Sequence, residues 1–139
     1  MVILFDQFNL PNDIIGIIFA TEQQVEVARL LIDYILERNG EITKTEMSLF
    51  ANLLHEGNLK KLEEKEIVFK QAPKFSYNKR QFYDRILTPM KSMGLIDYDL
   101  YKKTYKISDK FNRVMVKLGL MWVRYIRKER SMNNTMRNF

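Results

Sequence analysis

The sequence predicts an α+β fold that is mainly α. Three observations lead there: apolar residues recur at helical spacing over most of the chain, two short alternating runs lie side by side within 96–107, and a long amphipathic stretch follows them. A chain of 139 residues holds one compact domain with its own core and is too short for two of ordinary size. That domain is expected over 1–130, with its core in 21–108, a C-terminal helix over 109–130 and a flexible polar tail over 131–139.

The first twenty residues are apolar, with a helix start at Pro11, Asn12 and Asp13. Ile14, Ile15, Ile17, Ile18 and Phe19 need cover, either from the domain or from a second copy of it. The first long helix is written in "TEQQVEVARLLIDYILERNG". Thr21 and Gln24 form a capping box and Gly40 is a stop. Val25, Ala28, Leu31, Ile32, Ile35 and Leu36 make its apolar face, and Glu22, Glu26, Arg29, Asp33 and Glu37 the polar one. A second helix follows "GEITKTE", capped by Thr43 or Thr45, with Met47, Phe50, Ala51 and Leu54 as its stripe and "HEG" as its end. Residues 58–75 read as an irregular connector with a short strand around 67–69, closed by Pro73.

In "SYNKRQFYDRILTPMKSMG", Ser76 is a suitable N-cap and Gly94 a suitable residue just past the end. Phe82, Ile86, Met90 and Met93 fall on one stripe that runs through Pro89. Proline removes a hydrogen bond and bends the axis, so one helix kinked near Pro89 is expected. The hairpin is "IDYDLYKKTYKIS". Its expected pairs are Asp99–Thr104, Tyr98–Tyr105, Asp97–Lys106 and Ile96–Ile107, around a loop of Leu100, Tyr101, Lys102 and Lys103. This register puts Ile96, Tyr98, Tyr105 and Ile107 on one face and sets Asp97 against Lys106 on the other. The last helix runs from a cap at Ser108 or Asp109 to about Arg130. Phe111, Val114, Leu118, Met121, Trp122 and Tyr125 form a near-heptad stripe, with Lys110, Arg113, Lys117, Arg124, Arg127, Lys128 and Arg130 on the other faces.

Hydrophobic content of 46% and charged content of 29% are ordinary for a globular protein, but the net charge of +6 is unevenly placed. Residues 1–20 carry −2, 21–57 carry −4, 58–75 carry +2 and 76–139 carry +10. A directional face of that kind either meets a polyanion or is solvated Lys and Arg. The chain has no Cys, which excludes disulfides, thiolate metal sites and a cysteine nucleophile. Its single histidine, His55, has no nearby second ligand and reads as structural or surface. There is no Gly-rich phosphate loop and no carboxylate cluster with metal spacing, so no enzyme, metal or cofactor is expected. "MVILF" and "IIGIIFA" are shorter than the roughly 20 apolar residues a bilayer span needs, and neither has the basic flank of a signal peptide. The expected location is cytoplasmic, with no membrane partner and no identifiable small-molecule effector.

The stretch "KRQFYDRILTPMKSMGLIDYDLYKKTYKIS" resembles the winged helix-turn-helix family of DNA-binding domains, especially small MarR-like and archaeal or viral transcription regulators. The pattern there is a recognition helix ending in a hydrophobic–x–x–Gly–Leu–Ile/Val step, followed by a two-stranded wing. Here "MKSMGLIDYD" supplies the step and "TYKIS" the returning strand. The resemblance covers about 21–108, with its specific part in 76–108. One departure is the length of 57–75, where the family has a turn of a few residues. Such an insertion either repositions the recognition helix or contacts DNA itself through Lys60, Lys61, Lys65, Lys70 and Lys74.

The resemblance implies a recognition helix over 77–93 in the major groove and a wing over 95–108 on the phosphate backbone or in the minor groove. The helix face opposite the apolar stripe carries Tyr77, Arg80, Gln81, Asp84, Thr88 and Lys91. Arg80 and Gln81 are the types that read guanine and adenine edges. Ser76, Asn78 and Lys79 are placed for phosphates. Asp84 either accepts from a cytosine amine or orients Arg80. Tyr101, Lys102 and Lys103 form the wing tip. The C-terminal stripe either folds back on the domain or, as the family implies, makes a homodimer interface of Phe111, Val114, Leu118, Met121, Trp122 and Tyr125. The expected function is therefore sequence-specific double-stranded DNA binding by a homodimeric transcription regulator. The rival is a winged-helix module that binds protein in a larger assembly; a membrane-surface role for the basic helix ranks third.

Overall fold

A computed structural model describes residues 5–56 and 77–137, with side chains over 5–55 and 77–130. The elements follow in the order α1 (Ile15–Ile18), α2 (Glu22–Glu37), β1 (Glu41–Thr43) and α3 (Lys44–Glu56). Then come a composite helix α4 over 79–93, β2 (Ile96–Asp99), β3 (Thr104–Ile107) and α5 (Lys110–Arg137). The mainly helical α+β class is as the sequence predicts. The connector over 57–75, its possible strand and its lysines lie outside the described residues, as does Ser76.

Local chemistry sets these boundaries. Thr21 and Gln24 close the capping box that starts α2. Asn39 (φ 64°) and Gly40 (φ 82°) end it in left-handed conformations that turn the chain into β1. Of the two candidate caps for α3, Thr43 acts: its Oγ1 accepts from Glu46 N at 3.1 Å, and Glu46 Oε1 accepts from Thr43 N at 3.2 Å. Glu46 also pairs with Arg38, whose guanidinium lies 4.7 Å from the centre of the Tyr34 ring.

The hairpin pairs in all four positions as expected. It is not a free two-stranded ribbon, however. β3 also pairs with β1, through Glu41–Lys106, Ile42–Tyr105 and Thr43–Thr104, in an antiparallel sheet of order β1-β3-β2. The strand β1 escapes sequence patterning because three residues with one apolar position, Ile42, carry almost no periodicity.

The core fills the space between α2, α3, α4 and this sheet. Tyr34, Phe50 and Phe82 run through its centre, with ring centroids 5.3 and 5.5 Å apart. Leu31, Ile35, Ile42, Met47, Leu54, Ile86 and Leu87 are fully buried around them. Each such side chain contributes about 1.5–3 kcal/mol of burial. At the N-terminal end, Ile15 and Phe19 join the core, while Phe5, Phe8, Leu10 and Ile14 stay exposed.

Two expectations about the helices are corrected. The bend anticipated at Pro89 appears as a π turn just before it, with α-helix over Lys79–Phe82, π-helix over Tyr83–Leu87 and α-helix again over Thr88–Met93. The amide of Thr88 bonds back five residues to Tyr83 O. The proline ring would crowd the carbonyl four residues behind it, and widening the preceding turn relieves that contact. The wider turn brings Leu87 inward beside Ile86 and leaves Met93 at the rim. The last helix continues past the expected end near Arg130 to Arg137, so most of the segment expected as a flexible tail prolongs it.

Candidate nucleic-acid interface

The start of α4 is built by two residues expected to contact DNA. Asn78 Oδ1 accepts from Gln81 N at 2.8 Å, and Gln81 Oε1 accepts from Asn78 N at 3.0 Å. Both side chains are thus engaged in a capping box, and the cap is Asn78 where the sequence suggested Ser76. Tyr77, expected on the outward face, is buried. Its carbonyl accepts from His55 Nδ1 at 3.1 Å, which gives the single histidine a structural role joining α3 to the start of α4. The spacing argument misplaced Tyr77 because it lies outside the helix, where a 3.6-residue period does not apply.

Beyond the cap, α4 presents an exposed polar face. Arg80 is 91% exposed, and its Nε lies 3.7 Å from Asp84 Oδ2 one turn on. Asp84 is itself 67% exposed, so the two form a loose surface ion pair. Thr88 continues the exposed face. Lys79 Nζ reaches across to Ser48 Oγ at 2.6 Å, tying α4 to α3. Lys91 leans toward the hairpin, with Nζ 5.8 and 5.9 Å from the centres of the Tyr98 and Tyr105 rings. Those two rings lie 4.6 Å apart, and burial pushes the Tyr105 phenol above its ordinary pKa.

The hairpin tip is tightly specified although it lacks glycine. Asp99 Oδ1 accepts from the amides of Tyr101 (2.9 Å) and Lys102 (3.2 Å), and Asp99 O accepts from Lys103 N at 2.8 Å. Lys103 adopts φ 55°. Hydrogen bonds from the Lys102 and Tyr101 amides hold the Asp99 carboxyl below the usual carboxylate range. Lys44 N donates to Lys103 O at 2.9 Å, so the first residue of α3 buttresses the tip.

The expected Asp97–Lys106 ion pair is replaced by another. Asp97 Oδ2 meets Lys110 Nζ at 2.9 Å, and that hydrogen bond lowers the Asp97 pKa. Lys106 stays exposed, with no ion-pair partner among the described residues. Cross-strand neighbours do align, but Lys110 approaches Asp97 from the first turn of α5, which register alone does not reveal.

Sequence reasoning overlooked the outer face of α3. Lys44, Thr45, Ser48, Leu49 and Asn52 line an open cleft of about 410 Å³ beside Lys79. A signal was available, since Lys44, Ser48 and Asn52 recur every four residues opposite the Met47, Phe50 and Leu54 stripe.

In α5, the first of the six expected interface residues is not available for one. Phe111 is buried in its own domain, where its amide donates to Gly94 O at 3.1 Å. Val114, Leu118, Met121, Trp122 and Tyr125 are exposed, as are Met115 and Ile126, which the near-heptad reading left out of the same broad face. Trp122 and Tyr125 stack on one another at 6.1 Å. Among the described residues no three His, Asp or Glu side chains could share a metal ion, and no helix is long and apolar enough to cross a membrane. Comparison with protein-family models, with curated proteins and with solved structures finds no match.

Proposed function

We propose that this chain is a sequence-specific double-stranded DNA-binding protein of the winged helix-turn-helix type, acting as a homodimeric transcription regulator. The observation that carries the reading is the exposed Arg80–Asp84 pair on a firmly capped α4, beside a hairpin whose tip carries Lys102 and Lys103. In this reading α4 enters the major groove. Asp84 lies on the Nε side of Arg80, and the two terminal nitrogens would meet guanine O6 and N7. Asn78 and Gln81 hold the helix start in shape and leave base reading to Arg80. Lys79, Lys91 and the lysines of the hairpin serve phosphates, and the hairpin is the wing.

The charge distribution supports a polyanionic partner, since 76–139 carries +10. The exposed apolar face of α5 supports a second copy as its cover. Selection from a random duplex pool, followed by affinity measured across salt, tests the function. Enrichment of one site and a steep fall of affinity with salt are expected. Failure to enrich any site, with affinity flat in salt, would favour the protein-binding alternative.

A further inference from the structure

The hairpin tip exposes two large apolar side chains at its apex. Leu100 is 76% and Tyr101 98% exposed. A tight turn is ordinarily written with Gly, Asn, Asp or Ser, so neither residue is there for turn geometry. Nor are they there for packing. Both point away from a core that the Tyr98–Tyr105 face of the hairpin already closes.

The apex is also held still. Asp99 fixes the amides of Tyr101, Lys102 and Lys103, and Lys44 fixes the Lys103 carbonyl from α3. A backbone fixed in this way loses little further entropy when the apex inserts. Lys102 and Lys103 follow immediately, so a receiver with negative charge beside its apolar slot suits the apex. A DNA duplex offers that combination: phosphates on both rims and stacked bases between them.

We propose that Leu100 and Tyr101 form a wedge that enters the minor groove of bound duplex DNA, separates one base step and bends the helix axis. The wedge rests on the DNA-binding reading above and adds to it a deformation of the DNA and a preference for easily unstacked steps. Pyrimidine–purine steps such as TpA unstack most readily, and inserted apolar side chains kink duplexes in this way. Lys102 and Lys103, on the C-terminal side of the wedge, would grip the backbone that the bend brings closer.

The test uses the full chain and an A·T-rich duplex with 2-aminopurine at a central TpA step and a dye at each end. The wild type is expected to raise 2-aminopurine emission and shorten the end-to-end distance. A Leu100→Ser/Tyr101→Ser variant, its fold checked by circular dichroism, is expected to bind about tenfold more weakly. It should keep the salt slope of the wild type and lose both optical signals. Lys102→Ala should do the reverse, reducing the salt slope while retaining the emission rise. Salt-dependent binding by the wild type without an emission rise would overturn the wedge and leave the DNA reading intact. An undiminished rise in the double variant would overturn it as well. Absence of salt-dependent binding would remove the DNA reading and the wedge together. Tip-dependent binding to phosphatidylserine vesicles, with no change in duplex emission, would assign the apex to a lipid surface instead.

Discussion

Arg80 and Asn78 stand two residues apart yet are expected to fail in different ways. Arg80 has no packing duty, so Arg80→Ala should leave thermal stability unchanged while weakening the selected site by about 1–3 kcal/mol. The loss should be confined to one base position, measured by comparing affinities for single-substituted sites. Asn78→Ala breaks the capping box and should cost about 1 kcal/mol of folding stability, read from denaturant melts. Its effect on DNA should be spread evenly over all sequences, because it loosens the helix that carries Arg80. Asp99 gives a third residue-scale expectation, in acid. Its folded pKa lies below the unfolded value, so its contribution to tip order is complete above the unfolded value near 3.9. It is lost as pH falls through the folded value. Carbon-detected titration should place the Asp99 midpoint below that of an unstructured aspartate. In Asp99→Asn the amide shifts of Tyr101 and Lys102 should lose that acid transition.

At the scale of elements, the junction between α4 and the sheet is the most demanding. Gly94 sits at φ 86°, and a Cβ placed there would come within 2.9 Å of Phe111 N and 3.1 Å of the Lys110 backbone. Gly94→Ala therefore meets both a disfavoured backbone region and the first turn of α5. The left-handed conformation alone costs a non-glycine residue about 1–2 kcal/mol, and the clash adds to it. A denaturant melt should show a loss of at least that size. The "MGLI" step was legible in the sequence for this reason: Gly94 ends a helix, and Leu95 leads into the strand that begins at Ile96. The hairpin register was legible too, because a shift by one residue would turn Tyr98 and Tyr105 outward. Other features were hidden. β1 is too short to carry a period, and the π turn is a response to Pro89 that spacing cannot specify. The capping roles of Asn78 and Gln81 were masked by Ser76, an equally good cap two residues earlier. Side chains that both cap a helix and suit DNA are ambiguous until the helix start is fixed.

For the molecule as a whole, α5 is the element on which the proposed homodimer turns. At 28 residues it is about 42 Å long, and among the described residues its anchors to the domain lie in its first turn, through Phe111, Gly94 and the Lys110–Asp97 pair. Val114, Leu118, Met121 and Tyr125 line one side of an apolar face that Met115, Trp122 and Ile126 widen. In the proposed homodimer, pairing two such helices would bury it, and half-sites a helical turn, about 34 Å, apart would then be expected in the DNA. Such a pairing would also bring like charges together, since 110–130 holds seven Lys and Arg against Glu129 alone. Salt should therefore act in opposite directions on the two associations. It should strengthen dimerisation by screening this repulsion and weaken DNA binding by reducing counterion release. Sedimentation of the wild type across salt should show the dimer gaining. Leu118→Lys/Met121→Lys should sediment as a folded monomer at every salt concentration. That monomer should bind the selected site with about half the salt slope, because half the phosphate contacts remain. If the double variant still sedimented as a dimer, the interface would lie elsewhere. The exposed Phe5, Phe8, Leu10 and Ile14 at the opposite end of the chain would then be the surface to substitute next.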